Sequence, residues 1–171
     1  GAQIAVPRQI PVQGRCEWPE HQVIVLGHLL AEGNLCHPHG AYFYSQSDEQ
    51  VADYVRNLEQ FPNTEATVAV QKGTYSVYSR RRNRHELNGV VEWLKSIGVW
   101  GKDAHKKTLP DEVFELTNDQ LSLLVARMWE GDGHINVEGR SLFYATASER
   151  LARQLQHVLL RLGIVARLRE V

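Results

Sequence analysis

The stretch Met128–Asn136, MWEGDGHIN, closes an apolar helical run on two acids and two glycines, then switches to strand-like residues. A helix C-terminus is the negative end of the macrodipole, so a carboxylate at Asp132 is disfavoured there by up to ~1 kcal/mol. Such an ending needs a compensating positive charge.

Working outward, TNDQ at 117–120 supplies an N-cap signal for a helix from about 118 to 130. Downstream come strands GHINVEG and RSLFYATAS and the helix ERLARQLQHVLLRLGI. The same order occurs earlier. HQVIVLGHLLA, 21–31, is an apolar helix closed by Gly33, and NLCHPHGAYFYSQS reads strand, turn at Pro38 to Gly40, strand. DEQVADYVRNLEQF is a helix with an acidic first turn. TEATVAVQKGTYSVYSR is a hairpin about Lys72-Gly73, and RHELNGVVEWLKSIG is a helix ending at Gly98.

Laying Gly33 on Gly133, a shift of 100 positions, puts VLGHLLAEG under VARMWEGDG and Glu32 under Asp132. Phe43 and Tyr44 then match Phe143 and Tyr144. This is an internal duplication. The expected fold class is α+β: a pseudo-twofold repeat of α-β-β-α-β-β-α units with twisted antiparallel sheets. The expected organisation is an extended lead-in segment 1–18, a first unit 19–98, a linker 99–117 and a second, incomplete unit 118–171 that stops at VARLREV, about one strand into its second hairpin.

Packing of the two units about an axis through their apolar helices brings Glu32 and Asp132 together. Two carboxylates at two negative dipole ends repel, and a hard divalent cation with oxygen ligands relieves that repulsion. The expected metal site comprises Glu32 and Asp132 with the helix-end residues Ala31 and Gly131. Gly27 and Ala31 permit close approach, but Arg127 stands opposite Gly27 where a small residue is expected. A single acid-Gly pair is more often an exposed acid before a helix-ending glycine; two at matching repeat positions favour a shared site.

Composition is that of an ordinary globular protein, with 43% apolar and 23% charged residues among 171. No apolar run reaches membrane-spanning length, and the leading residues lack the pattern of a signal peptide, so no membrane association and a cytoplasmic location are expected. Two isolated cysteines suit a reducing compartment. Net charge is -1, so affinity for a polyanion must come from local clusters. One is Ser79–His85, containing Arg80, Arg81, Arg82 and Arg84; another is Lys102, His105, Lys106 and Lys107. Taken alone, either reads equally well as an ordinary solvated loop.

Antiparallel ribbons can read base edges in the major groove. Alternation puts Tyr42, Tyr44 and Gln46 on one face of the first hairpin. In the second it leaves two choices, Tyr75, Val77 and Ser79 or Thr74, Ser76 and Tyr78. Phe43 is assigned to the core. The arginines would contact phosphates. Cys16, Cys36, His37 and His39 lack the ligand spacing of a zinc site.

VLGHLLAEG and VARMWEGDG resemble the two nine-residue motifs of LAGLIDADG homing endonucleases, and the resemblance extends through KKTLPDEVFELTNDQ and ATASERLARQLQHVLLRLGI. It implies a Mg²⁺-dependent, site-specific double-stranded DNA endonuclease, acting as a monomer. Its catalytic acids would be Glu32 and Asp132, with Lys72 or Arg80 assisting at the metal; its sheets would form a DNA-binding saddle, and Lys72, Arg80, Arg81, Arg82, Arg84, Tyr44 and Gln46 would contact DNA. IAVPRQIPV resembles the junction between an intein splicing domain and its inserted endonuclease, and WGKDAHKKTLPDEVF is similar to endonucleases of bacterial replicative polymerase (DNA polymerase III alpha-subunit) inteins. The implied partner is that splicing domain, because Gly1 replaces a Cys or Ser nucleophile and no His-Asn pair occurs. Two rivals are a catalytically inactive domain that binds DNA or acts as an RNA maturase, and a structural insertion without binding.

Overall fold

The structure is a computed structural model describing residues 7–138 and 141–170. Residues 1–6 of the expected lead-in, and residues 139 and 140 where the two downstream strands were expected to meet, lie outside the described residues.

The chain runs α1 (Glu20–Glu32), β1 (Gly33–Asn34), β2 (Tyr42–Ser45), α2 (Asp48–Leu58), β3 (Thr64–Gln71), β4 (Thr74–Arg81), α3 (Gly89–Ser96), α4 (Asn118–Asp132), β5 (Gly133–Asn136), β6 (Ser141–Tyr144) and α5 (Glu149–Arg161). The fold is mixed α+β with open antiparallel sheets, one of four strands ordered β1-β2-β4-β3 and one of two, β5-β6. Polar caps start the helices where the sequence places them. Ser47, Thr117 and Ser148 accept from Gln50 N, Gln120 N and Leu151 N at the starts of α2, α4 and α5.

Helix α1 is buried from Val23 to Ala31, which accounts for its lack of a polar face. Helix α4 packs along it but buries only Leu121, Leu124 and Met128. Gly33 and Gly133 are not left-handed caps as helix-closing glycines usually are; both are extended and lead directly into strands. A side chain at either would collide with the turn before it, at Leu29 and Trp129 respectively.

Two expected elements differ. Helix α3 starts at Gly89, not Arg84, because Asn63 donates to the carbonyls of Asn83 and Leu87 and holds the preceding residues in a bend. Residues 164–170, expected to start a second hairpin, form no strand, and Gln156 Nε2 instead donates to the Ala166 carbonyl.

Between α3 and α4, two 3-10 turns (Ala104–Lys106 and Asp111–Glu115) punctuate a packed connection. Val99, Leu109, Val113 and Leu116 are in the core. Helix α5 pins this connection with polar contacts. Ser148 Oγ donates to Lys107 O at 2.6 Å, Gln154 exchanges hydrogen bonds with Leu109 N and O, and buried Arg161 donates to the carbonyls of Phe114 and Leu116.

Candidate active site

Helices α1 and α4 meet closely toward their C-terminal ends. A Cβ on Gly27 would stand 2.6 Å from Arg127 Cβ, and one on Gly131 would stand 2.7 Å from Ala31 Cβ and 3.1 Å from Glu32 Cγ. Each glycine thus faces a residue at, or next to, its own repeat equivalent, as an axis running between the helices requires. Small residues permit this approach, and both helices end there on their acids.

Arg127, the departure from small-residue symmetry, is accommodated by Gly27 opposite. Its guanidinium Nε donates to Asp53 Oδ2 at 2.8 Å and NH1 reaches Glu130 Oε1 at 3.2 Å. Asp53, on α2, also takes a 3.1 Å hydrogen bond from buried His28 of α1. Burial lowers the His28 pKa despite Asp53, so the ring is neutral at pH 7 and the contact is a hydrogen bond, not an ion pair. For Asp53, burial raises the carboxyl pKa, but the bonds from His28 and Arg127 outweigh it and leave it below the ordinary value. Three helices are thereby tied together behind the acids.

Glu32 lies at the rim of a cleft of about 370 Å³ lined also by Tyr44, Gln46, Gln50, Thr74 and Gly131. Partial burial, reinforced by Asp132, raises the Glu32 pKa. Burial likewise raises Asp132, although Tyr144 donates its hydroxyl to Asp132 Oδ2 at 3.2 Å. Tyr144, the repeat equivalent of Tyr44, is itself raised far above the ordinary tyrosine range by burial and the neighbouring carboxylates.

The positive charge at the helix ends is Lys107. Its ammonium is buried and donates to the carbonyl oxygens of Leu30 at 3.0 Å and Ala31 at 2.7 Å. Burial lowers its pKa, while Asp132 and Glu32 pull the other way. Lys107 thus serves the last carbonyls of α1 and both acids together. It is not one of the two basic residues the sequence nominates for this place. Lys72 occupies the exposed β3–β4 turn, with φ of 51° followed by Gly73 at 78°, and Arg80 is held by Glu65 at 3.3 Å on the sheet.

The chemistry of the acid pair fits a hard divalent ion. Burial disfavours the ionised form of both carboxyls even with Lys107 present, a penalty that a divalent cation beside them would relieve, and Mg²⁺ is typically held by one or two carboxylates with substrate phosphate and water completing its shell. The Ala31 carbonyl already accepts from Lys107, leaving one lone pair, and the ligands expected at Ala31 and Gly131 can only be backbone oxygens. No cluster of three or more His, Cys, Asp or Glu suited to a metal occurs among the described residues.

Strand register separates the two faces of the large sheet. Phe43, Ser45, Val77 and Ser79 point inward and are buried, Phe43 at 1%. Tyr42, Tyr44, Ser76, Tyr78 and Arg80 therefore share the outer face, with Tyr42 opposite Tyr78 and Tyr44 opposite Ser76. Of the two alternations open in β4, the set Thr74, Ser76 and Tyr78 is the outer one, and Gln46 joins it through a 3.4 Å bond to Thr74 Oγ1. Arg81, the last residue of β4, and Arg82 and Arg84 just after it are exposed; Arg81 donates to the Arg84 carbonyl and Arg82 to that of Glu59.

Comparison with known proteins follows the same lines. Residues 119–171 match the family model for the LAGLIDADG-like domain. The chain is 31% identical over 182 residues to the replicative DNA helicase DnaB of Rhodothermus marinus and 29% identical over 179 residues to that of Synechocystis sp., covering 100% and 98% of this chain but only 19% and 20% of the relatives. It is also 26% identical over 173 residues to the replication factor C small subunit of Methanocaldococcus jannaschii, covering 99% of this chain and 9% of the relative. The fold is similar to a solved variant of the homing endonuclease I-DmoI, with a TM-score of 0.55 at 7% identity, covering 85% of this chain and 78% of that one. Residues 119–171 thus match a LAGLIDADG-like domain, and the chain has the α+β fold of a homing endonuclease.

Proposed function

We propose that this chain is a site-specific, divalent-metal-dependent double-stranded DNA endonuclease, derived from an intein and acting as a monomer. The observation that carries the reading is the pair Glu32 and Asp132 at abutting helix ends, beside a buried lysine and at the edge of a polar sheet face. Divalent ions at such a site would activate water, neutralise phosphate charge and stabilise the leaving oxygen. Glu32 and Asp132 would hold them, and Tyr144 keeps the Asp132 carboxylate oriented. Lys107 holds a fixed positive charge where a phosphate dianion develops in the transition state. Tyr44, Gln46 and the outer sheet face would lie along the groove, and Lys72, Arg80, Arg81, Arg82 and Arg84 would contact phosphates and position the duplex.

Support for intein origin comes from the relatives. Essentially the whole chain resembles a small fraction of a helicase and of a replication factor, proteins named for different tasks. An inserted element shared by unrelated hosts has that pattern. The proposed host is a replication protein, the DNA polymerase III alpha subunit, a reading that the helicase and replication-factor relatives support.

The two-stranded β5-β6 sheet, with Leu142 and Phe143 exposed, favours one second reading, a domain that binds nucleic acid without cutting. Incubating the chain with a randomised duplex library, with Mg²⁺ or with EDTA, and sequencing the ends separates them. Defined ends that require Mg²⁺, lost in Glu32→Gln and Asp132→Asn while binding persists, are expected. Sequence-selective retention without ends would establish the second reading, and full cutting by either variant would overturn the acid assignment.

A further inference from the structure

On the outer face of the large sheet, three tyrosine rings form a continuous stack. Tyr42 and Tyr78, cross-strand partners, have centroids 5.2 Å apart and planes 19° apart; Tyr42 and Tyr44, two apart on one strand, stand at 6.2 Å and 25°. Each ring limits its neighbour's rotation, so little conformational freedom is lost when a ligand covers them. None of the three hydroxyls is engaged in a hydrogen bond among the described residues. The stack therefore presents an apolar strip edged by unspent donors.

Resting on the reading of this face as the DNA-contacting one, the geometry points to a specificity patch in which Tyr42, Tyr44 and Tyr78 read thymines of the half-site beneath the first repeat. In the major groove thymine alone sets an apolar C5 methyl beside an acceptor, O4. A tyrosine offers the counterpart, an apolar ring with a donor at its tip. The remaining bases call for groups the strip lacks: a bidentate Arg or Lys for guanine, Asn or Gln for adenine, a free carboxylate for cytosine. Those groups flank it instead. Gln46 lies at the cleft end beside Thr74, and Arg80 lies at the outer end, already paired with Glu65. On the β3 side the neighbours are small, Thr67 opposite Tyr78 and Ala69 opposite Ser76, while the His37 ring packs on Tyr42 at 4.2 Å. Two strand residues cover about 7 Å, so the patch matches roughly two to three base pairs.

The test is selection of bound duplexes from a randomised library by the full chain in EDTA, followed by single thymine-to-deoxyuridine replacements, which remove only the methyl group. The half-site under the first repeat is identified as the one whose consensus changes with Tyr78→Ala. Enrichment of thymine at two to three adjacent pairs there is expected, on either strand, with each deoxyuridine weakening binding about fourfold. In Tyr42→Ala and Tyr78→Ala that penalty should vanish. Should the alanine variants not fold, Tyr78→Phe, which removes only the hydroxyl, identifies the half-site in their place, and the deoxyuridine series on the unaltered chain decides. A half-site without thymine, or deoxyuridine tolerated throughout, overturns the inference while leaving sequence-specific binding intact; no enriched sequence at all overturns the DNA-recognition reading and the inference with it.

Discussion

Lys107 places its ammonium 2.7 Å from the Ala31 carbonyl oxygen, at the end of the helix whose last residue is Glu32. A buried cation there offsets a negative dipole end and two raised carboxyls together. Lys107→Met removes the charge and leaves the carbonyls of Leu30 and Ala31 without their donor, so the fold should lose about 2 kcal/mol in denaturant titration. Cutting should fall by about 10²-fold, whereas affinity for the target in EDTA should change little. Full cutting in this variant would show that the charge serves the fold alone.

Gly27 and Gly131 set the spacing of α1 and α4. Gly27→Ala would press a methyl against Arg127 Cβ and the Leu124 carbonyl, and should destabilise by about 1–3 kcal/mol in thermal melts. Gly131→Ala presses on Ala31 and the Glu32 side chain. It should therefore depress cutting more than Gly27→Ala does at equal loss of stability.

The network of His28, Asp53 and Arg127 makes the fold acid-sensitive in two steps. His28 is lowered in the folded state, so its contribution is full above 6.5, the ordinary histidine value, and is lost as pH falls through the lowered value. Asp53 is also lowered, so its contribution holds above 3.8, the ordinary aspartate value, and is lost only below it. A stability-pH curve should show the first loss starting below about 6.5, and His28→Asn should shrink that step, leaving the share of His21, which burial also lowers, and the more acidic step. An unchanged first step would assign it to another histidine.

Arg81, Arg82 and Arg84 are exposed at and just after the end of β4. If they contact phosphates, replacing each by alanine should reduce the slope of log affinity against log salt by about 0.9, with the preferred sequence unchanged. A shifted sequence preference with an unchanged slope would instead place that arginine on a base edge.

Much of this was legible in the chain. The duplication, the apolar helices, the caps at Ser47, Thr117 and Ser148 and the Lys72-Gly73 turn are local patterns, and local patterns follow from period and backbone preference. Glu32 and Asp132 could be paired because the repeat aligns them. Tyr144 could have been nominated by the same alignment, since it matches Tyr44.

What sequence alone determined was thus the α+β elements apart from the missing final strand, and the alignment of the two acids. Tertiary structure decided which cation serves those acids, which alternation of β4 faces outward, and why an arginine stands opposite Gly27. Lys107 lies far along the chain from Leu30 and Ala31, and it meets them through backbone carbonyls, which every residue carries and which leave no mark in a sequence. Arg127 looked like a break in symmetry because its partner Asp53 belongs to another helix. The two faces of an isolated strand are equivalent until packing buries one, and here the burial of Val77 and Ser79 decides it.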